Sequence, residues 1–138
     1  MKIYVDSSVI LRRILNADTT LESVSTSDIL GSSDLLAIEC HRVLQRERLA
    51  SHLDDLQYTE SVGLLEELLG HLSIIEMGPA VKRRAAGPFP TAIGTLDAIH
   101  LASALLWAEA QPETEVSILT HDRQLALCAR SVGLRVSS

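Results

Sequence analysis

Aromatic side chains are nearly missing from this sequence: one Phe, two Tyr and one Trp in 138 residues. A core without rings is built from Leu, Ile, Val and Ala, which favours helices packed on an aliphatic sheet. Cysteine is also scarce. Cys40 and Cys128 lie far apart, with no CxxC pairing and no His spacing typical of zinc, so the expectation is two reduced, mostly buried thiols. No apolar run approaches the roughly 18 residues that a membrane span needs. Asp6 spoils MKIYVDSSVI as a signal peptide, so the expected setting is cytoplasmic, away from any membrane. Basic charge is in deficit, with 12 Lys and Arg against 18 Asp and Glu, a net charge of −6. That counts against a nonspecific nucleic-acid binder, which shows a basic face. An acidic pocket that holds a divalent metal would contribute part of the imbalance.

What remains is ordinary for a soluble globular chain: 46% hydrophobic and 22% charged residues. The length suits one domain, residues 1–138, with no repeat, low-complexity tract or linker. Ile3–Val5 reads as a strand, Val9–Leu15 as a helix, and residues 19–30 as a polar helix or loop. Ser32-Ser33-Asp34 is a helix-start signal ahead of LLAIECHRVLQRERL, which has helical periodicity. A third helix follows Asp54-Asp55 and stops near Gly70. Leu72–Ile75 is a strand, Pro79–Arg84 a short helix, GPFP a loop, and GTLDAIHLASALLWAEA a long apolar helix from Ala98 onward. Val116–Thr120 is a strand, Asp122–Arg130 a helix, and Leu134–Val136 a last strand. Strands alternating with helices predict an α/β fold: a central parallel β-sheet flanked by helices on both faces.

In such sheets functional sites collect beyond the carboxyl ends of the strands, and acidic residues stand at those places. Asp6 directly follows the first strand, and Asp122 closely follows the Val116–Thr120 strand. Asp97 heads the long apolar helix, and Glu39 interrupts the apolar run Leu35–Ile38. Two carboxylates about 5 Å apart repel by roughly 3 kcal/mol at an effective dielectric near 20. A divalent cation reverses that sign, and a site made of carboxylates alone suits Mg²⁺ or Mn²⁺ and phosphodiester chemistry. Each residue also has a plainer reading. Asp6, Asp97 and Asp122 suit helix caps, worth about 1 kcal/mol each, and Glu39 suits a first-turn acid favoured by the helix dipole.

Four segments in order, IYVDSSVIL, SSDLLAIECHRVLQR, TLDAIHLASAL and LTHDRQLALCARSVGLRV, together resemble the PIN domain, and within it the VapC-type toxins of toxin–antitoxin pairs. The resemblance covers nearly the whole chain. It implies a single PIN-like domain and a Mg²⁺- or Mn²⁺-dependent endoribonuclease in which an acidic quartet holds a metal-activated water. The quartet carries over to Asp6, Glu39, Asp97 and Asp122, as both metal ligands and catalytic residues. It further implies a VapB-type antitoxin partner that can send a basic side chain into the acidic pocket, a homodimer, and an RNA substrate such as tRNA or rRNA.

Several neighbours are candidates to assist. Ser8 or Ser7 can give a hydroxyl to a carboxylate or cap a helix. Thr120 precedes the last acid by two positions, and Arg42 follows Glu39 by three, so it can hold Glu39 or a phosphate or simply be solvated. His100 lies one helical turn after Asp97, and a satisfied buried histidine is the expectation. The basic clusters Lys82-Arg83-Arg84 and Arg46 with Arg48 can steer RNA or face solvent. The aliphatic stripes at 11–15 and 64–69 serve the core by default, with dimer or antitoxin contacts as the other use. A catalytically silent PIN module that binds RNA or a protein partner is the alternative function. A receiver-like domain fails for want of the Asp and Lys it needs, and a haloacid-dehalogenase phosphatase for want of a second Asp after Asp6.

Overall fold

The computed structural model describes residues 1–137. Its elements run β1 (Lys2–Val5), α1 (Ser7–Asn16), β2 (Ile29–Ser33), α2 (Leu35–Leu49), α3 (Asp55–Gly70) and β3 (Ser73–Ile75). They continue with α4 (Pro79–Ala86), α5 (Thr95–Ala110), β4 (Val116–Leu119), α6 (Arg123–Ser131) and β5 (Arg135–Ser137). A short 3-10 turn, Thr20–Ser23, lies between α1 and β2. The strands form one sheet in the order β3-β2-β1-β4-β5, and every neighbouring pair is parallel. This is the α/β architecture the alternation predicts.

The strand order decides where a site can form. The chain starts in the middle of the sheet, builds outward through β2 to β3, then returns and builds the other way through β4 to β5. The direction reverses between β1 and β4, and a crevice opens at the carboxyl ends of two strands whose connections leave in opposite directions. Right-handed crossovers put the helices of the two halves on opposite faces, and the core divides accordingly. Along β1, Ile3 and Val5 pack with Val9, Ile10, Leu36 and Leu65 from α1, α2 and α3. Tyr4, between them, packs with Leu101 and Leu105 of α5 and Leu125 of α6. The period-two alternation of a single strand thus feeds two separate half-cores.

The sequence signals for helix ends hold where side chains make them. Asp54 and Gln57 form a reciprocal capping box at the start of α3, with bonds of 2.7 and 2.9 Å. At the end of α6, Gly133 has φ +87°, Gly133 N–H donates to Arg130 O, and Leu134 N–H donates to Ala129 O. That paired arrangement ends the helix and turns the chain into β5.

Two expectations are corrected. Residues 19–30, read as a polar helix or loop, are irregular apart from the 3-10 turn, and at Ile29 they begin β2, which that reading did not include. The strand sequence, ILGSS, has little β-propensity because packing demands small residues there. Gly31 lies under the Trp107 indole, and a Cβ would come within 2.6 Å of the ring. Ser32, fully buried, donates its hydroxyl to Val5 O at 2.6 Å. The long helix also begins three residues earlier than read. Gly94 is its N-cap and Thr95 its first residue, so Asp97 lies inside the first turn instead of capping it.

Candidate active site

Asp6 ends β1 and occupies the N-cap position of α1, yet its side chain makes no capping hydrogen bond. Both carboxylate oxygens are committed elsewhere. Ser8 Oγ donates to Oδ1 at 2.6 Å, and Thr120 Oγ1 donates to Oδ2 at 2.6 Å. The hydroxyls are themselves fixed, since Ser8 Oγ accepts from His121 N and Thr120 Oγ1 from Asp122 N, both at 3.0 Å. The end of β1 and the loop after β4 are therefore stitched together across the crevice. Asp6 is 2% exposed. Burial raises its pKa, and the Ser8 and Thr120 hydrogen bonds oppose that rise.

Asp97 enters the same crevice from the first turn of α5 and is only partly buried. Its pKa is pushed up to about 6, first by burial and then by the negative charges of Asp122 and Asp6. Asp122 is the N-cap of α6: its Oδ1 accepts from Leu125 N at 3.1 Å. The capping reading of Asp122 therefore holds, and its position beside Asp97 holds with it. For Asp6 and Asp97 the capping reading does not hold.

Glu39 stands in the second turn of α2, beyond the first turn where the dipole reading would put it. Its Oε1 lies 2.5 Å from His100 Nε2, and its Oε2 accepts from Ser7 Oγ at 3.3 Å. His100 is 1% exposed, and its other ring nitrogen, Nδ1, is 2.7 Å from the Tyr4 hydroxyl. The expected satisfied, buried histidine is what the structure shows.

The donor set fits a hard divalent ion. It is made of oxygens alone, and two of its carboxylates raise the pKa of a third, a repulsion that a cation removes. Among the described residues, no three His, Cys, Asp or Glu side chains already close on one point. Mg²⁺ keeps several waters and takes only one or two carboxylates directly, so a site for it does not require three side chains on one point.

The sequence profile of the PIN domain matches residues 3–131. The chain belongs to the PIN domain family. Comparison with curated proteins gives no significant match. Among solved structures, VapBC2 from Rickettsia felis, bound to a DNA fragment from their promoter, is similar with a TM-score of 0.68 at 15% identity, over 99% of this chain and 98% of that one. VapBC-1 from nontypeable Haemophilus influenzae gives a TM-score of 0.65 at 14% identity, over 100% of this chain and 98% of that one. A protein from Pyrobaculum aerophilum gives 0.62 at 20% identity, over 99% and 83%. At these identities the likeness is one of fold.

Within this PIN domain, the candidate residues separate cleanly. Ser8 and Thr120 touch Asp6 directly. Arg42 does not reach Glu39; it is exposed and its guanidinium donates to Gln45 at 3.1 Å. The basic clusters are partly tied down: Arg84 forms a two-pronged pair with Glu109 at 2.9 and 3.1 Å, and Arg48 pairs with Asp55 at 2.6 Å. In the aliphatic stripes, Leu65 is fully buried, while Leu11, Ile14, Leu15, Leu68 and Leu69 pack partly buried against the same half-core. A cavity of about 650 Å³ at the start of α5 is lined by none of the four carboxylates. Met77, Lys82, Phe89, Ile93 and Ile99 contribute to its walls. Ser7 gives its hydroxyl to a carboxylate as expected, that of Glu39; sequence reasoning missed the pairing of His100 with Tyr4, 96 positions apart, which no local pattern encodes. No described helix is long and apolar enough to cross a membrane.

Proposed function

We propose that this PIN domain is a Mg²⁺- or Mn²⁺-dependent endoribonuclease of the VapC type, the toxin of a toxin–antitoxin pair. The observation that carries the reading is the strained state of Asp97. At the switch point of a parallel sheet, a partly buried carboxylate faces two others, and burial, with their charges added, pushes its pKa up to about 6. A neutral protein-only pocket has no use for that arrangement, whereas a cation site does.

In this reading Asp6 and Asp97 ligate the ion, Asp122 contributes directly or through water, and Glu39 binds or orients a water. A bound divalent ion supplies charge stabilisation at a phosphodiester and makes water more acidic. The chain's own residues do the rest. Ser8 and Thr120 hold Asp6 in one rotamer. Asp122 keeps one oxygen on its helix cap and leaves the other for the crevice. Glu39, held by His100 and Ser7, accepts a proton from an attacking water. RNA is the substrate, with tRNA or rRNA as the specific targets to examine. The net charge of −6 makes the ion the element that lets a polyanion approach. The partner is a VapB-type antitoxin carrying a basic side chain that complements the acidic crevice, and the active toxin is a homodimer.

The test is RNA cleavage by purified protein with Mg²⁺ or Mn²⁺ and with EDTA. Wild type should cleave only with metal, and Asp97→Asn should not cleave under either condition. Metal-bound wild type that leaves RNA intact would favour the silent binding module instead.

A further inference from the structure

A buried histidine touches the quartet without being one of its carboxylates: His100, enclosed between Tyr4 and Glu39. We propose that His100 is a positioning residue that fixes the Glu39 carboxylate for metal and water, with Tyr4 locking the imidazole from behind. The inference rests on the metal site proposed above and adds a residue to it.

The geometry defines the proton's place. Glu39 Oε1 is 2.5 Å from His100 Nε2, and an ionised carboxylate only accepts, so Nε2 carries a proton and donates it. On the other side, Nδ1 is 2.7 Å from the Tyr4 hydroxyl. The two other hydroxyls near that phenol are spent on carbonyls: Ser32 donates to Val5 O at 2.6 Å and Ser103 to Ile99 O at 2.8 Å. The Tyr4 proton therefore goes to Nδ1, giving a neutral ring, or to a serine oxygen, giving a charged one. In both cases Nε2–H points at Glu39. Tyr4 is fully buried at the centre of β1, and its ring meets the imidazole edge-on at 72°, so neither ring has room to turn.

Glu39 has no comparable anchor elsewhere. It lies on α2, outside the Asp6 hydrogen bonds, and its other contact is the longer 3.3 Å bond from Ser7. A flexible three-bond side chain loses that freedom only where a strong donor holds it. Through this relay the α5 helix, which delivers Asp97, also sets the position of Glu39 on α2. Partners that orient metal-site carboxylates and imidazoles typically matter by about 10–100-fold in metal affinity.

The experiment is Mn²⁺ binding by electron paramagnetic resonance on wild type, His100→Leu, His100→Gln and Tyr4→Phe, each first shown to be folded by metal-free melting. Glutamine keeps an N–H where Nε2 stands, whereas leucine keeps only bulk. His100→Leu should weaken Mn²⁺ binding by about tenfold or more, His100→Gln should recover most of that loss, and Tyr4→Phe should fall between. A residue that serves packing alone would shift melting and leave Mn²⁺ affinity unchanged in all three. If His100→Leu does not fold, His100→Gln and Tyr4→Phe carry the comparison: Tyr4→Phe that binds as tightly as wild type overturns the relay. Wild type that binds no Mn²⁺ overturns the metal site itself, and this proposal with it. Wild type that binds, with folded His100→Leu binding equally well, overturns the positioning role alone.

Discussion

Asp6 and Asp97 face one crevice, and the protein treats them in opposite ways. Asp6 is buried and complete: each of its oxygens receives a hydroxyl at 2.6 Å. Asp97 is more exposed and lacks such donors, and it meets the charges of Asp122 and Asp6. One carboxylate is part of the scaffold as it stands; the other is left in an unfavourable state that a cation would relieve. In the proposed site both are ligands, one held ready by the scaffold and the other relieved by the ion.

The largest effect expected from testing this contrast is on activity. Asp6→Ala removes a proposed ligand together with the acceptor for two buried hydroxyls. Metal-dependent RNA cleavage should fall by about 10³-fold, the equivalent of several kcal/mol of lost charge stabilisation. The loss is read as kcat/KM at saturating Mg²⁺. Thr120→Val leaves Asp6 ionisable but strips one of its two hydroxyl donors. A lost hydrogen bond to a charged group costs about 1.5–3 kcal/mol, measured as a lower midpoint in urea unfolding.

Asp97→Asn should act in the opposite direction on the metal-free protein. The folded-state pKa, about 6, lies above the ordinary aspartate value of 3.8, so the native state holds more protons than the unfolded chain between these values. Stability is then fully present below about pH 4 and declines as pH rises through 6. Asparagine cannot ionise and escapes the decline. With EDTA present, the variant should be more stable than wild type at pH 7 by about 1 kcal/mol once solvent screening is allowed for. Its stability should change less from pH 4 to 7. An Asp97→Asn protein that is less stable than wild type throughout this range would mean that the carboxylate is structural. The smallest effect belongs to Arg42→Ala: an exposed residue bonded to Gln45 should change stability by less than about 0.5 kcal/mol and leave Mn²⁺ affinity as it was.

The sequence makes the satisfied carboxylate easier to read than the strained one. Asp6 follows the most strand-like run in the chain, and Asp122 follows the next most obvious one, so the rule for parallel sheets puts them at one edge. The start of α5 was harder. Gly94 caps the helix without a side chain, and the nearest acidic residue is easily mistaken for the cap. β2 hid because its composition answers to Trp107 and to buried hydrogen bonds rather than to strand propensity. Arg42 illustrates the limit of spacing arguments. Three residues along a helix bring it to a neighbouring face, but its guanidinium reaches one turn onward to Gln45. The contact of His100 with Glu39 crosses 61 positions, and only the folded sheet brings the two together.

The central claim is that the crevice binds a divalent cation through Asp97. The direct measurement is thermal melting of wild type and Asp97→Asn with Mn²⁺, with Mg²⁺ and with EDTA. An ion at about 100 times its dissociation constant adds about 2.7 kcal/mol to the native state, a rise of several degrees for a chain of this size. The account expects that rise in wild type and its absence in Asp97→Asn. Equal melting of wild type with metal and with EDTA, or an undiminished rise in the variant, would contradict it.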